Sequence, residues 1–426
     1  SSSDAQTPSL KVKHEELIAA LKTPSEKRND SQKKNIREAF EAENSTLSNH
    51  RKKQTTLEAK VKSLKGSFPK VMVMADMAKP RQTFMLDRGL YNQRGKVVTA
   101  NVPASLPPLA KTESSNRLDL ARWLVSRDHP LTARVTVNRF WQMLFGIGLV
   151  KTAENFGMQA EYPLHPELLD WLAAEFMESE WDVKELLYTI VTSDTYKRSS
   201  VINSSKEHER DPDNRLLARG PRFRMPSWMI RDQALAASGL LNPQMGGKAV
   251  FSYQPADIWA EATFGKKRYR QDKGKALYRR SLYTFWRRIV GPTMFFDVAK
   301  RQVCEVKPLR TNTPMHALTI LNDVTYVEAA RALADIVLRK VKNDDARIRL
   351  AGKRVLGHEP STEELRLWQR SLERAISSFS ADPEAAKRFL SHGDSKPNSE
   401  IPPATQAAWA ALCLNLLNLD ETLNKE

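Results

Sequence analysis

Three short stretches set polar, chemistry-bearing side chains into otherwise apolar helical pattern, where leaving them unpaired would be costly. In NRFWQ, residues 138–142, Asn138 and Gln142 stand four apart and share a helix face. Such an amide pair can hold a ligand hydroxyl or anchor a loop carbonyl. Arg139 between them carries a planar fork suited to a carboxylate or sulfate, or to a buried acid such as Asp119 or Asp170. In ENFGMQAEYPLHPELLD, His165 directly precedes Pro166 at a helix start, a place for an acid/base group, a metal ligand or simply a cap. Glu167 and Asp170 fall in that helix's first turn, where the macrodipole favours acids. In RTNTPMHALTILND, residues 310–323, Thr313 suits an N-cap and Pro314 the first helical position. Arg310 and Asn312 then project beside a helix N-terminus, a ready setting for an anion, with His316 in the first turn.

A fourth feature is electrostatic. Fourteen Lys and Arg lie between Lys266 and Arg310 against Asp272, Asp297 and Glu305, which is eleven of the chain's seventeen excess positive charges. Tyr269, Tyr278, Tyr283, Phe285, Trp286, Phe295 and Phe296 are interleaved with them. Aromatic faces among guanidinium groups suit sugar rings bearing acidic substituents, and equally suit stacked bases and phosphates or a merely solvated face.

The common catalytic signatures are missing: no GxGxxG, Walker loop, HExxH or GxSxG occurs. Cys304 and Cys413 stand far apart and in no CxxC, CxxCH or Cys/His spacing, which excludes a covalent c-type haem or a zinc ribbon in this chain. Two separate thiols are favoured over one disulfide. No metal site is assigned. With 426 residues, 41% hydrophobic and 27% charged, the chain can bury a large core, and no apolar run approaches a membrane span.

The elements that must position these residues are mostly helices. Residues 1–66 are lysine-rich, with thin apolar repeats (Leu17, Ile18, Leu21; Leu57, Val61, Leu64) that predict a helical hairpin or coiled-coil arm, a nucleic-acid arm being the alternative. TPSEKRND holds the Pro that ends one helix and the Asp that caps the next. Residues 67–115 alternate in short runs broken by Pro and Gly, an extended or β linker. From 116 to 426 a mainly helical domain is expected, with Trp123, Phe140, Trp141, Leu169, Trp171 and Phe176 as large core members of its first part. Within it LYRRSLYTFWRRIV, residues 277–290, reads as a strand and SHGDSKPNSEIPP, residues 391–403, as a mobile loop.

Several of these segments resemble the Planctomycete-specific domain of unknown function that follows c-type cytochrome modules in large exported bacterial proteins. LTARVTVNRFWQMLFGIGLVKTAENFG, HPELLDWLAAEF, VTSDTYKRSS, LYRRSLYTFW, RTNTPMHALTILND and the closing LNLDET carry the likeness, over about Val71 to Leu423. The resemblance implies a periplasmic or cell-surface protein, usually preceded in the same polypeptide by another domain and often by a haem-binding unit. It makes Ser1 a processed or engineered boundary. Arg222, Arg224, Arg231 and Asp232 keep the family pattern, whereas Trp228 stands where a glutamate is common and His316 where a glutamine is.

The combined expectation is a mainly α protein, a multi-helix domain with a small β element and an N-terminal arm, that binds and could oxidise or cleave an acidic polysaccharide. His165 and Asn138 are the acid/base candidates. Arg139, Arg231, Arg279, Arg280, Tyr283, Trp286, Arg287, Arg288, Arg310 and Asn312 are the substrate-binding candidates. No cofactor is assigned to this chain, c-type haem being reserved for a partner. The alternative is a non-catalytic module that docks onto a preceding domain or a c-type cytochrome; exported context argues against nucleic acid.

Overall fold

The computed structural model describes residues 8–77, 81–110, 115–202, 204–298, 304–307 and 309–425. It is mainly α, as expected, with two small two-stranded ladders among the described residues. The chain divides into Ser1–Thr99 and Ala100–Glu426.

The first unit holds α1 (Pro8–Lys22), α2 (Asp30–Glu43) and α3 (Ser45–Ser67), then an antiparallel hairpin of β1 (Thr83–Leu86) and β2 (Arg94–Val98). The break between α1 and α2 falls at the expected Pro24. The cap, however, is Asn29 rather than Asp30: Asn29 Oδ1 accepts from Gln32 N at 2.8 Å, and Asn29 N donates to Gln32 Oε1 at 3.1 Å. The VMVMADM run, 71–77, is exposed and forms neither strand nor helix.

The second unit contains α4 (Arg117–Leu124), α5 (Thr132–Phe145), α6 (Pro166–Glu178), α7 (Val183–Thr192) and α8 (Ser205–Arg210). Val137, Trp141 and Phe145 of α5 face Leu169, Leu172 and Phe176 of α6 and Leu186 and Ile190 of α7 in one core. Trp171, expected there, is 50% exposed, because it lies two residues, some 200° of helix, from Leu169. Trp123 stands apart, its indole donating to the Pro107 carbonyl at 2.7 Å.

After β3 (Phe223–Arg224) come α9 (Ser227–Ala237), α10 (Ile258–Ala262), α11 (Pro314–Asn322) and α12 (Val324–Lys340). Then follow α13 (Asp344–Leu356), α14 (Thr362–Ala381), α15 (Pro383–Leu390), α16 (Pro403–Leu417), α17 (Asp420–Leu423) and β4 (Asn424–Lys425). The larger core lies here, α12 and α16 packing around Tyr326, Leu333, Val337, Trp409 and Leu412 with α9, α13 and α14 closing over them. Asp323 separates α11 from α12 because its Oδ1 accepts from Thr325 N at 2.9 Å, starting a new helix in place of a continuous one.

Two sequence expectations change. Residues 277–290 form no strand: a single 3-10 turn at Ser281–Tyr283 and isolated bridges at Arg279, Thr284 and Arg287 replace it. Neighbouring side chains compete for its backbone groups, as when Ser281 N donates to Asp232 Oδ1 at 2.9 Å. The expected 391–403 loop is irregular as far as Pro402, where α16 takes over, yet pinned: Ser395 N donates to Glu328 Oε1 at 2.6 Å and Asp394 N to Tyr253 Oη at 2.8 Å. Its composition encodes the lack of helix and says nothing of the buried carboxylate waiting beneath it.

Candidate functional site

The end of α5 begins the site. Gly146 closes that helix at φ +83°, and a Cβ there would lie 2.8 Å from the Phe223 ring, so glycine serves both the turn and the contact. Beyond it, Asn138 holds the chain from inside α5: its Nδ2 donates to Val150 O at 3.1 Å and its Oδ1 accepts from Val150 N at 2.8 Å. His165, next to Pro166 at the start of α6, donates from Nε2 to Arg215 O at 3.0 Å. The segment carrying Arg215 is organised by Asp211, which accepts from Arg215 N and Leu216 N, each at 2.7 Å. β3 is fixed by pairing Phe223 with Lys425 and Arg224 with Asn424.

These segments surround a cleft of about 400 Å³. Arg215, Arg219, Arg222, Arg310, His165 and His208 line it, with Asp213 the carboxylate among the lining residues. Asp213 is neutralised by Lys151 Nζ at 2.9 Å, and that hydrogen bond holds its carboxyl below the usual range. Glu161, just outside, accepts from Arg215 Nη1 at 2.7 Å and is likewise lowered. Arg215 Nη2 is buried without a protein partner, a costly state for a guanidinium nitrogen. Arg219 Nη2 is spent on the carbonyls of Asp211 (2.8 Å) and Pro212 (2.9 Å), and Arg222 Nη2 on Asp420 (2.7 Å). Arg310 is exposed, stacked 4.4 Å over Phe223, with a 3.4 Å bond to Gly146 O. The result is a positive recess with donors to offer an anion.

A family model described as PSD1, protein of unknown function (DUF1553), matches residues 116–372, more than half of the chain. The chain belongs to this family. Every residue of the PSD1 chain that lines the cleft falls inside the matched region. No curated protein and no solved structure matches the chain.

Within this PSD1 region the predicted site residues separate into groups. His165 and Arg310 meet at the cleft. Asn138, 1% exposed, lies under its floor with both amide atoms bound to Val150, so it shapes a loop. Arg139 is exposed; Asp170 pairs with Arg134 at 2.5 Å instead, and Asp119 completes the α4 capping box with Asn116.

Arg231 and Arg279 are corrections. Arg231 is 0% exposed and donates to Leu277 O at 2.8 Å, Arg279 O at 2.9 Å and Ser281 Oγ at 3.2 Å. Arg279 is buried, bonds to Lys248 O at 3.0 Å and Gln244 O at 3.1 Å, and lies 3.8 Å over the Tyr283 ring. Both staple an irregular segment, and Arg279 covers one face of the Tyr283 ring. A chain without ladder hydrogen bonds recruits buried guanidinium groups for its carbonyls, which is why these cations point inward. Trp286 is half-buried, while Arg280, Arg287, Arg288 and Asn312 are exposed. Lys300 and Arg301 lie outside the described residues.

The sequence reading missed Arg215, Arg219 and His208. Five arginines between 210 and 224, in a stretch rich in Pro, Gly and Asn, were the available signal. Among the described residues, no three or more His, Cys, Asp or Glu side chains are grouped to hold a metal ion, and Cys304 and Cys413 are both free thiols. Nor is any described helix long and apolar enough to cross a membrane.

Proposed function

We propose that this chain binds an acidic polysaccharide, sulfated or uronate-containing, with one anionic substituent seated in the arginine-lined cleft. The observation that carries the reading is Arg215 Nη2, buried at a recess flanked by Arg219, Arg222 and Arg310 and lacking a protein acceptor. The family resemblance adds the setting: an exported bacterial protein, periplasmic or at the cell surface, with a preceding domain or a c-type cytochrome as partner. His165 is the acid/base side chain at the cleft should the bound glycan be cleaved, and a haem on the partner would be the redox group should it be oxidised.

The test is binding of sulfated, uronate-containing and neutral oligosaccharides at low and moderate salt. Arg310→Ala should weaken acidic glycans tenfold or more, the loss of a charge-assisted contact, with the fold intact. Arg287→Ala with Arg288→Ala should change affinity by less than about twofold, because neither residue lines the cleft. Unchanged affinity in Arg310→Ala would overturn the cleft assignment, and equal, salt-sensitive binding to every polyanion would overturn the glycan reading.

The docking alternative is favoured by a different surface. Lys266, Lys267, Arg268, Arg270 and Lys273 are all exposed, close in sequence to Phe264, which is 93% exposed at a φ of +51°. A cationic tip of this kind would meet an acidic partner domain. Co-purification with such a partner through high salt, together with no glycan affinity, would decide for docking.

A further inference from the structure

Two loop tips of the second unit rise from one aromatic cluster. Trp259 of α10 is buried, its ring 5.6 Å from Tyr269 and 5.9 Å from Phe285, and Phe251 lies 5.4 Å from Tyr269 and 4.5 Å from Phe285. The first tip follows α10. Gly265 N donates to Ala260 O at 2.7 Å and Lys267 N to Thr263 Oγ1 at 3.0 Å, which closes the helix and leaves Phe264 in the left-handed region with its ring in solvent. That backbone is costly for a bulky residue, and a ring so exposed returns nothing to the core. The second tip follows Phe285. Arg287 N donates to Val290 O at 3.3 Å and Val290 N to Arg287 O at 3.1 Å, a tight turn with Arg288 and Ile289 at its end, Ile289 being 58% exposed. Lys266, Lys267, Arg268 and Arg270 flank the first tip and Arg287 and Arg288 the second; all are exposed and, among the described residues, none is in an ion pair.

We propose that these two tips seat the chain on an anionic lipid surface, Phe264 and Ile289 entering the headgroup boundary and the flanking cations meeting lipid phosphates. The combination of residue types selects the partner. An acidic glycan or acidic domain accepts the cations but gives no apolar depth to a projecting side chain. A single nucleic-acid strand takes flat aromatic faces, which suits Phe264 and not Ile289. A bilayer boundary takes aromatic and aliphatic side chains alike, and its negative surface potential attracts Lys and Arg lying beside them. The inference goes beyond both readings of function: it uses no cleft residue, and it gives the basic tip a lipid surface in place of an acidic domain.

The test is flotation of the full chain with phosphatidylcholine vesicles, with and without phosphatidylglycerol, over a range of salt. Wild type should float with the vesicles that contain phosphatidylglycerol, less so as salt rises. Phe264→Asn with Ile289→Ser keeps every charge, and asparagine tolerates the left-handed backbone, yet affinity should fall about tenfold or more. Lys266→Glu with Lys267→Glu should abolish flotation. In a Cys304→Ser background, where the remaining Cys413 is buried, an environment-sensitive dye on Phe264→Cys should shift to the blue on these vesicles. Arg310→Ala should float as wild type does, which separates this surface from the cleft. No flotation of wild type, or flotation that survives the loss of Phe264 and Ile289, would overturn the proposal, as would capture by an acidic protein in the absence of any vesicle binding.

Discussion

Asn138 and Val150 exchange two hydrogen bonds, 3.1 Å from the amide nitrogen and 2.8 Å to the amide oxygen, and so tie the loop after α5 back onto α5 itself. The floor of the cleft therefore depends on a side chain that no ligand reaches. Asn138→Ala leaves a buried N–H and C=O unpaired and should cost about 2 to 4 kcal/mol in urea unfolding. Gly148→Ala attacks the same contact from the other side, since its Cβ would lie 2.6 Å from both Asn138 Nδ2 and Val150 O. Both variants should weaken anion binding, and a stable Asn138→Ala with unchanged binding would show that the loop holds by other means.

Arg231 predicts a different outcome from a binding arginine. Its head group serves the carbonyls of Leu277 and Arg279 and the carboxylate of Asp232, 3.2 Å away. Arg231→Met would strand the Leu277 and Arg279 carbonyls in the core, while Asp232 keeps Ser281, with an expected loss of about 2 to 4 kcal/mol. Thermal unfolding measures it, and a variant that lost glycan affinity at full stability would contradict the stapling role.

Glu328 is 1% exposed and gathers the hydroxyls of Tyr253 at 2.7 Å and Tyr278 at 2.8 Å, together with Ser395 N. Burial and this carboxylate hold both phenols far above their ordinary range, so they act as donors at any working pH. Tyr253→Phe removes one donor to Glu328 and the acceptor of Asp394 N, at about 1 to 2 kcal/mol. Its signature is local: faster hydrogen exchange and proteolysis within 391–402, with little change in α5 to α7.

Asp335 sets a pH dependence. Burial raises its carboxyl above the usual carboxylate range, opposed by the hydrogen bond from Gln406 and by Arg339 and Arg331. The folded chain then holds this proton more tightly than the unfolded chain, so the associated stability is complete below the unfolded value and is lost as pH rises through the folded one. Asp335→Asn keeps an acceptor for Gln406 and removes the charge. It should raise the melting temperature near neutral pH and give no gain in strong acid; a loss at neutral pH would show that the ionised form is needed.

Helix positions were legible from residues alone because each carries its own period and caps: Asn116, Asp182, Ser361 with Glu364, and Pro166 act within one turn of the element they start. The likeness to a family was legible too, since long segments in order are a property of the string. Which cations face a ligand was not. Arg231, Arg279, Arg287 and Arg310 are the same residue type within 80 residues, yet the first two are consumed by carbonyls of an irregular segment and the last is stacked on Phe223 beside Gly146. The cleft joins residues from 165, 215, 222 and 310, and their meeting rests on α5 packing against α6 and on β4 returning from the C-terminus to pair with β3. Local periodicity determines which segments are helices and which faces are apolar; long-range packing decides which polar groups remain without partners, and those are the groups able to bind.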